Sequence, residues 1–168
     1  SIESLIQGLI CSNGFCTTQK IEKYLKDSVL PSNYFHDLAS DLYFVTTYLD
    51  KPGRAIFGPR KLRSSSGTHY YTDVGISHAA AASMALPPIF KPYLIHSEGH
   101  EFYCFDGEIR QTLSTHVAKD AGCDLIFASY THEPYHYREQ IGSLIDYGAP
   151  TIVLQAIYQM VESKIIKA

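Results

Sequence analysis

Four consecutive alanines, Ala79 to Ala82, run toward Pro87-Pro88, and this pairing constrains the chain more than any other stretch. Alanine loses no side-chain entropy on entering a helix and proline cannot continue one, so residues 78–86 are predicted to be a helix with a fixed end. Ser77 stands immediately before it and has the chemistry of an N-cap. Upstream, residues 41–48 are rich in β-branched and aromatic side chains and read as a buried strand. Asp50-Lys-Pro-Gly53 then makes a turn, and residues 54–57 are the returning strand. Residues 101–105 form another strand, ending at Asp106-Gly107. Residues 113–121 are predicted to be a helix closed by Gly122, and residues 124–130 a mostly apolar strand of the kind buried on both faces of a parallel sheet. Near the start, residues 18–26 carry Ile21, Tyr24 and Leu25 at helical spacing after Thr17 and Thr18, and Leu30-Pro31 ends that helix. Residues 150–166 alternate apolar and polar side chains at helical spacing and read as a last amphipathic helix. Strand and helix in alternation argue for an α/β layered domain, with no repeat and no second domain boundary.

Composition excludes several classes. At 168 residues, 45% apolar and 18% charged, the chain can bury a core and lacks the signature of disorder. A net charge of −3 offers no basic excess for a phosphate backbone, so no nucleic-acid partner is expected. No apolar run approaches the roughly 18 residues a membrane-spanning helix needs, so a soluble chain is expected; its localisation is left open, with the cytoplasm slightly favoured. Cys11, Cys16, Cys104 and Cys123 form no Cys-x-x-Cys pair, and Cys104 and Cys123 lie in or beside apolar runs where a thiol is usually a small buried hydrophobe.

Three stretches carry chemistry. Asp106 is a carboxylate at the C-terminal edge of a strand, where open α/β sheets place their ligand crevice, and Gly107 lets the backbone turn sharply there. The plain alternative is an Asp-Gly turn. Gly75-Ile-Ser77-His-Ala79 is one residue short of the Gly-x-Ser-x-Gly nucleophile elbow, but an elbow follows a buried apolar strand and residues 68–73 are too polar for one. Capping of the alanine helix is therefore the favoured role of Ser77. His132-Glu-Pro-Tyr-His136 matches the zincin pattern, in which two imidazoles one helical turn apart hold Zn²⁺. Pro134 between them opposes the required helix, so a polar loop without metal is expected. His96 and His100 flank the turn-like Ser97-Glu-Gly99 and are read as solvated.

The run Ala80-Ala-Ala-Ser-Met-Ala-Leu-Pro-Pro-Ile-Phe90, followed by a strand delivering Asp106-Gly107, resembles the patatin-like phospholipase family. Residues 42–49 with Lys51-Pro-Gly-Arg54 and Ile56-Phe57-Gly58 look like that family's strand, turn and return. Gly122-Cys-Asp-Leu-Ile-Phe-Ala-Ser129 looks like its Gly-Ala-Asp strand. The resemblance implies a three-layer α/β/α domain with a mostly parallel sheet, acting as a lipid acyl hydrolase through a Ser–Asp dyad. It makes Asp106 the general base and Met84, Leu86, Ile89 and Phe90 acyl-chain contacts. Glu108 stands where the family has Gly or Ala, which puts a second carboxylate near the dyad. The family's Gly-x-Ser-x-Gly and Gly-rich oxyanion loop come earlier in the domain, and no window of residues 1–168 holds the pattern. The chain is therefore expected to be the C-terminal part of a single patatin-like domain without its N-terminal strands, and inactive alone. The expected partners are a lipid or ester substrate, transient contact with a membrane surface, and either the N-terminal part of the domain or a second copy covering the exposed sheet edge. No metal or organic cofactor is implied. The rival readings are a non-catalytic binding domain of the same fold and a zinc hydrolase built on His132 and His136.

Overall fold

The computed structural model describes residues 14, 16–63, 66–110, 113–130 and 133–165. They form two compact units, one ending at Asp106 and the other beginning at Gly107.

The first unit is an α/β layer built on a five-stranded sheet: β1 (Phe44–Tyr48), β2 (Arg54–Phe57), β3 (Thr68–Tyr71), β4 (Tyr93–Ser97) and β5 (His100–Asp106), in the order β3-β2-β1-β5-β4. The hairpin expected from residues 41–57 is present, with Phe44 opposite Phe57 and Thr46 opposite Ala55. Gly53 in its turn has φ +120°, and a Cβ there would lie 2.5 Å from the Gly67 carbonyl oxygen, so only glycine lets the turn close against that strand.

The sheet is not mostly parallel. Only β2 and β3 run parallel, and the β1–β2, β1–β5 and β4–β5 pairs are antiparallel. Short connections explain the β1–β2 and β4–β5 hairpins, because a parallel neighbour needs a crossover of roughly a dozen residues or more and residues 49–53 and 98–99 are far too short for one. Glu98 and Gly99, at φ 51° and 77°, make the left-handed two-residue turn that suits a tight hairpin. Strand β4 escaped the sequence reading, and so did β3, whose residues looked too polar. In β3 Thr68 and Tyr70 are buried while His69 is exposed, a half-buried alternation rather than an apolar run.

Residues paired across strands share a face, and alternate residues along a strand return to it. Thr46, Tyr48, Ala55, Phe57, Tyr93, Ile95, Cys104 and Asp106 thus lie on one side of the sheet. Helix α1 is Gln19–Tyr24, continued by a wide turn over Leu25–Val29 before Pro31. Helix α2, Ile76–Ser83, packs on this side of the sheet, and Ala79, Ala81, Ala82 and Ala85 join Phe57, Ile95 and Cys104 in one buried cluster. The helix meets the strands through these short side chains.

Asp73, in the loop after β3, braces the β4–β5 turn. Ser97 Oγ donates to its Oδ1, the Glu98 N–H donates to Oδ2 at 2.8 Å, and Glu98 in turn holds Lys61 Nζ at 2.7 Å. Burial by itself raises the Asp73 carboxyl pKa, but the Ser97 hydroxyl and the Glu98 N–H outweigh it and the net shift is downward. A lowered folded value favours the ionised group, so this stability is full above the unfolded carboxyl's pKa, roughly 4, and is lost as pH falls through the folded value. Asp73→Asn is expected to cost about 1 kcal/mol at neutral pH, a modest figure because the carboxylate is solvent-exposed. The gap to the wild type should close in acid. Urea melts at neutral pH and near pH 3 check this, and an equal gap at both would remove the carboxylate charge from the account.

The second unit contains a 3-10 turn at Gly107–Ile109, helix α3 (Thr115–Asp120), a 3-10 turn at Leu144–Tyr147 and helix α4 (Ala149–Ile165). Both helices match their sequence expectation. Gln155 of α4 replaces a strand neighbour for Tyr135, accepting its N–H at 2.8 Å and donating to its C=O at 2.9 Å. Residues 124–130 are not a strand. Leu125, Phe127 and Tyr130 are 72%, 89% and 55% exposed, and the unit has no strand among its described residues to pair with them. A β-prone run becomes a strand only when a partner edge takes its hydrogen bonds. Cys123, expected to be buried, is exposed, whereas Cys104 is fully buried and burial pushes its thiol up to about 11. Cys11 lies outside the described residues. No described helix is long and apolar enough to cross a membrane.

Candidate functional site

Asp106 is the last residue of β5, an interior strand flanked by β1 and β4. It sits directly opposite Thr46, whose buried hydroxyl donates to the Ala55 carbonyl at 2.9 Å. Its own N–H donates to the Ala85 carbonyl at 3.2 Å, just beyond the end of α2. The strand end is thus tied both to the neighbouring strand and to the alanine helix, and the Asp106 side chain, half-buried, is presented on the helix-covered face. These contacts fix the main chain at Asp106 and so the point from which its side chain leaves the sheet.

The Ala85–Phe90 segment that follows α2 starts beside Asp106, whose N–H the Ala85 carbonyl accepts. Met84 is exposed, Leu86 and Ile89 are half-buried, and Phe90 packs against the core cluster. Phe90 also bridges in parallel to Cys16, with the Cys16 N–H donating to the Ile89 carbonyl at 2.8 Å. An open groove of ≈ 630 Å³ beside this segment is lined by Leu49, Pro87, Pro88, Lys91 and Tyr103, which are not the four side chains expected there.

Ser77 is neither elbow nor cap. Gly75 is the N-cap of α2, and Asn33 satisfies the first turn from a distant loop, its C=O accepting the Ile76 N–H at 3.0 Å and its Oδ1 accepting the Ser77 N–H at 2.8 Å. Ser77 is fully buried and donates from Oγ to Glu22 Oε1 at 2.8 Å. Such a hydroxyl has no route to a substrate, whereas an elbow displays its Oγ at the crevice. The neighbouring His78 shares a 2.8 Å hydrogen bond between Nδ1 and the Tyr93 hydroxyl, and its Nε2 lies 3.7 Å from Glu22 Oε1. Burial, then the Glu22 charge, raises the Tyr93 phenol to about 12. Glu22 and Asn33 reach α2 from far upstream, so no local spacing signals them.

The zincin-like stretch divides. His132 lies outside the described residues, His136 is exposed and Pro134 is buried in extended chain. Among the described residues no three His, Cys, Asp or Glu side chains come together as a metal site. His96 and His100 are exposed at the β4–β5 turn as expected, His96 Nδ1 lying 3.0 Å from Glu101 Oε1.

Glu108 lies in the 3-10 turn Gly107–Ile109, a right-handed conformation open to any residue, so its departure from Gly or Ala strains nothing. Its Oε2 accepts the Leu113 N–H at 3.4 Å, beside Leu113 and Ser114, which hold φ 67° and 43°.

An alanine helix laid on a mixed five-stranded sheet, with Asp106 at the end of an interior strand, defines an α/β domain. The family model for Patatin-like phospholipase matches residues 3–119, which include both the alanine helix and that carboxylate. The chain belongs to the patatin-like phospholipase family. No curated protein matches it. Membership supports lipid acyl hydrolysis as its chemistry at the level of the family.

Proposed function

We propose that the protein hydrolyses acyl esters of lipids through a Ser–Asp dyad and that Asp106 is the carboxylate. The observation that carries this is the placement of Asp106 at the end of an interior strand, tied to Ala85 and opposite Thr46, within the part of the chain that matches the family. In such a dyad the carboxylate takes the proton of the Ser hydroxyl as that oxygen attacks the acyl carbon, and the proton then passes to the leaving alkoxide. The nucleophile belongs to a Gly-x-Ser-x-Gly elbow outside residues 1–168, and the oxyanion donors to a Gly-rich loop preceding it. Residues 1–168 thus act as the C-terminal part of one patatin-like domain. The partners are a lipid or ester substrate, met transiently at a membrane surface, and the segment or second copy that covers the sheet edge.

Met84, Leu86, Ile89 and Phe90 provide acyl-chain contacts in this proposal, because such sites are mostly apolar with few polar groups. Hydrolysis of p-nitrophenyl esters of short and long acyl chains tests the reading. Residues 1–168 alone should give no turnover. In the protein that includes the elbow, Phe90→Ala should lower the long-chain rate by about tenfold and the short-chain rate far less, since each buried methylene is worth roughly 0.8 kcal/mol. Turnover by residues 1–168 alone would place the nucleophile within them and end the dyad proposal. Equal losses at both chain lengths would leave Phe90 as core packing only.

A further inference from the structure

At the turn end of β1, away from Asp106 along β5, two aromatic rings form a corner that already holds a cation. Tyr48 and Phe102 stand 5.3 Å apart at 71°, close to perpendicular. The Lys51 ammonium lies 4.1 Å from the Tyr48 ring centroid and 5.7 Å from that of Phe102. The walls are fixed in advance: the Tyr48 and Tyr71 hydroxyls share a 2.7 Å hydrogen bond, and Tyr71 packs 5.0 Å from Phe102. An open groove of ≈ 440 Å³ adjoins the corner, with Asp50, Glu101 and Tyr103 on its walls.

We propose that this corner is a binding site for a quaternary ammonium group, choline being the simplest form, and that Lys51 is its displaceable resident. The ring faces attract a cation through their negative quadrupole, and the interaction strengthens when the cation is cheap to desolvate. A trimethylammonium group is cheaper to desolvate than an ammonium and has no N–H to leave unsatisfied, so the corner favours it over the lysine head. Lys51 is exposed on the turn at residues 50–53 and can swing aside without disturbing the strands. Asp50 and Glu101 then supply the compensating negative charge, Glu101 also keeping its contact with His96. The site stands independently of the dyad, because its readout is binding rather than hydrolysis.

The test is calorimetric titration of the full chain with choline chloride, with tetramethylammonium and with ammonium chloride. Choline and tetramethylammonium should bind at least about fivefold more tightly than ammonium. Lys51→Ala should tighten choline about threefold or more by removing the competing cation, and Phe102→Leu should weaken it by a similar factor or more. Tyr48→Phe keeps the ring and should keep binding, which guards against loss of fold as the cause of a null result. Co-flotation with phosphatidylcholine vesicles but not phosphatidylglycerol vesicles, reversed by free choline, identifies a lipid headgroup as the source. Binding of free choline without flotation identifies a soluble ligand. If Lys51→Ala remains folded by circular dichroism and takes choline no better than ammonium, the site does not exist.

Discussion

On the proposed dyad, Asp106→Asn in a protein that carries the Ser elbow should lower ester hydrolysis by about 10²–10⁴-fold, the usual contribution of a positioned general base. Asparagine keeps the shape and the main-chain bond to Ala85 but cannot accept the proton of an attacking hydroxyl. The loss should fall on kcat, with KM little changed, because the proton moves only in the transition state. Short-chain esters are the right substrate, since they separate chemistry from acyl-chain fit. Steady-state rates, with circular dichroism to confirm the fold, decide it. A variant with near wild-type turnover would remove Asp106 from the mechanism, whereas absence of turnover in the wild type itself would favour the non-catalytic binding domain.

Phe57→Ala should lower the stability of the first unit by about 3–5 kcal/mol, the range for truncating a buried phenylalanine. Phe57 is fully buried, opposite Phe44 on β1, and its ring lies 5.8 Å from that of Tyr71. Removing it leaves a cavity between the sheet and the alanine helix, and alanine side chains are too short to collapse into it. Phe127→Ala is the control. Phe127 is 89% exposed, so its loss should stay within about 0.5 kcal/mol. Urea unfolding of both variants checks the pair, and a large loss at Phe127 would mean that residues 124–130 are packed after all.

The sequence by itself determined the elements whose signals are local. Asp50-Lys-Pro-Gly53 between two β-prone runs defined the first hairpin, and Ala79 to Ala82 before Pro87-Pro88 defined α2 to within a few residues. The strand ending at Asp106 and the family to which the chain belongs were legible for the same reason, since both rest on short motifs read in order. The tertiary structure decided what depends on partners far along the chain. Short connections made two of the pairs antiparallel hairpins, long-range pairing of β1 with β5 added a third antiparallel pair, and polar β3 became a strand because β2 offered it an edge. Residues 124–130, more apolar than β3, had no such edge and stayed exposed. Ser77 looked like a cap or a nucleophile until Glu22 and Asn33, distant in sequence, took its hydroxyl and its N–H. Burying a polar group without a partner is costly, and which partner it finds is set by packing across the fold rather than by its neighbours in sequence.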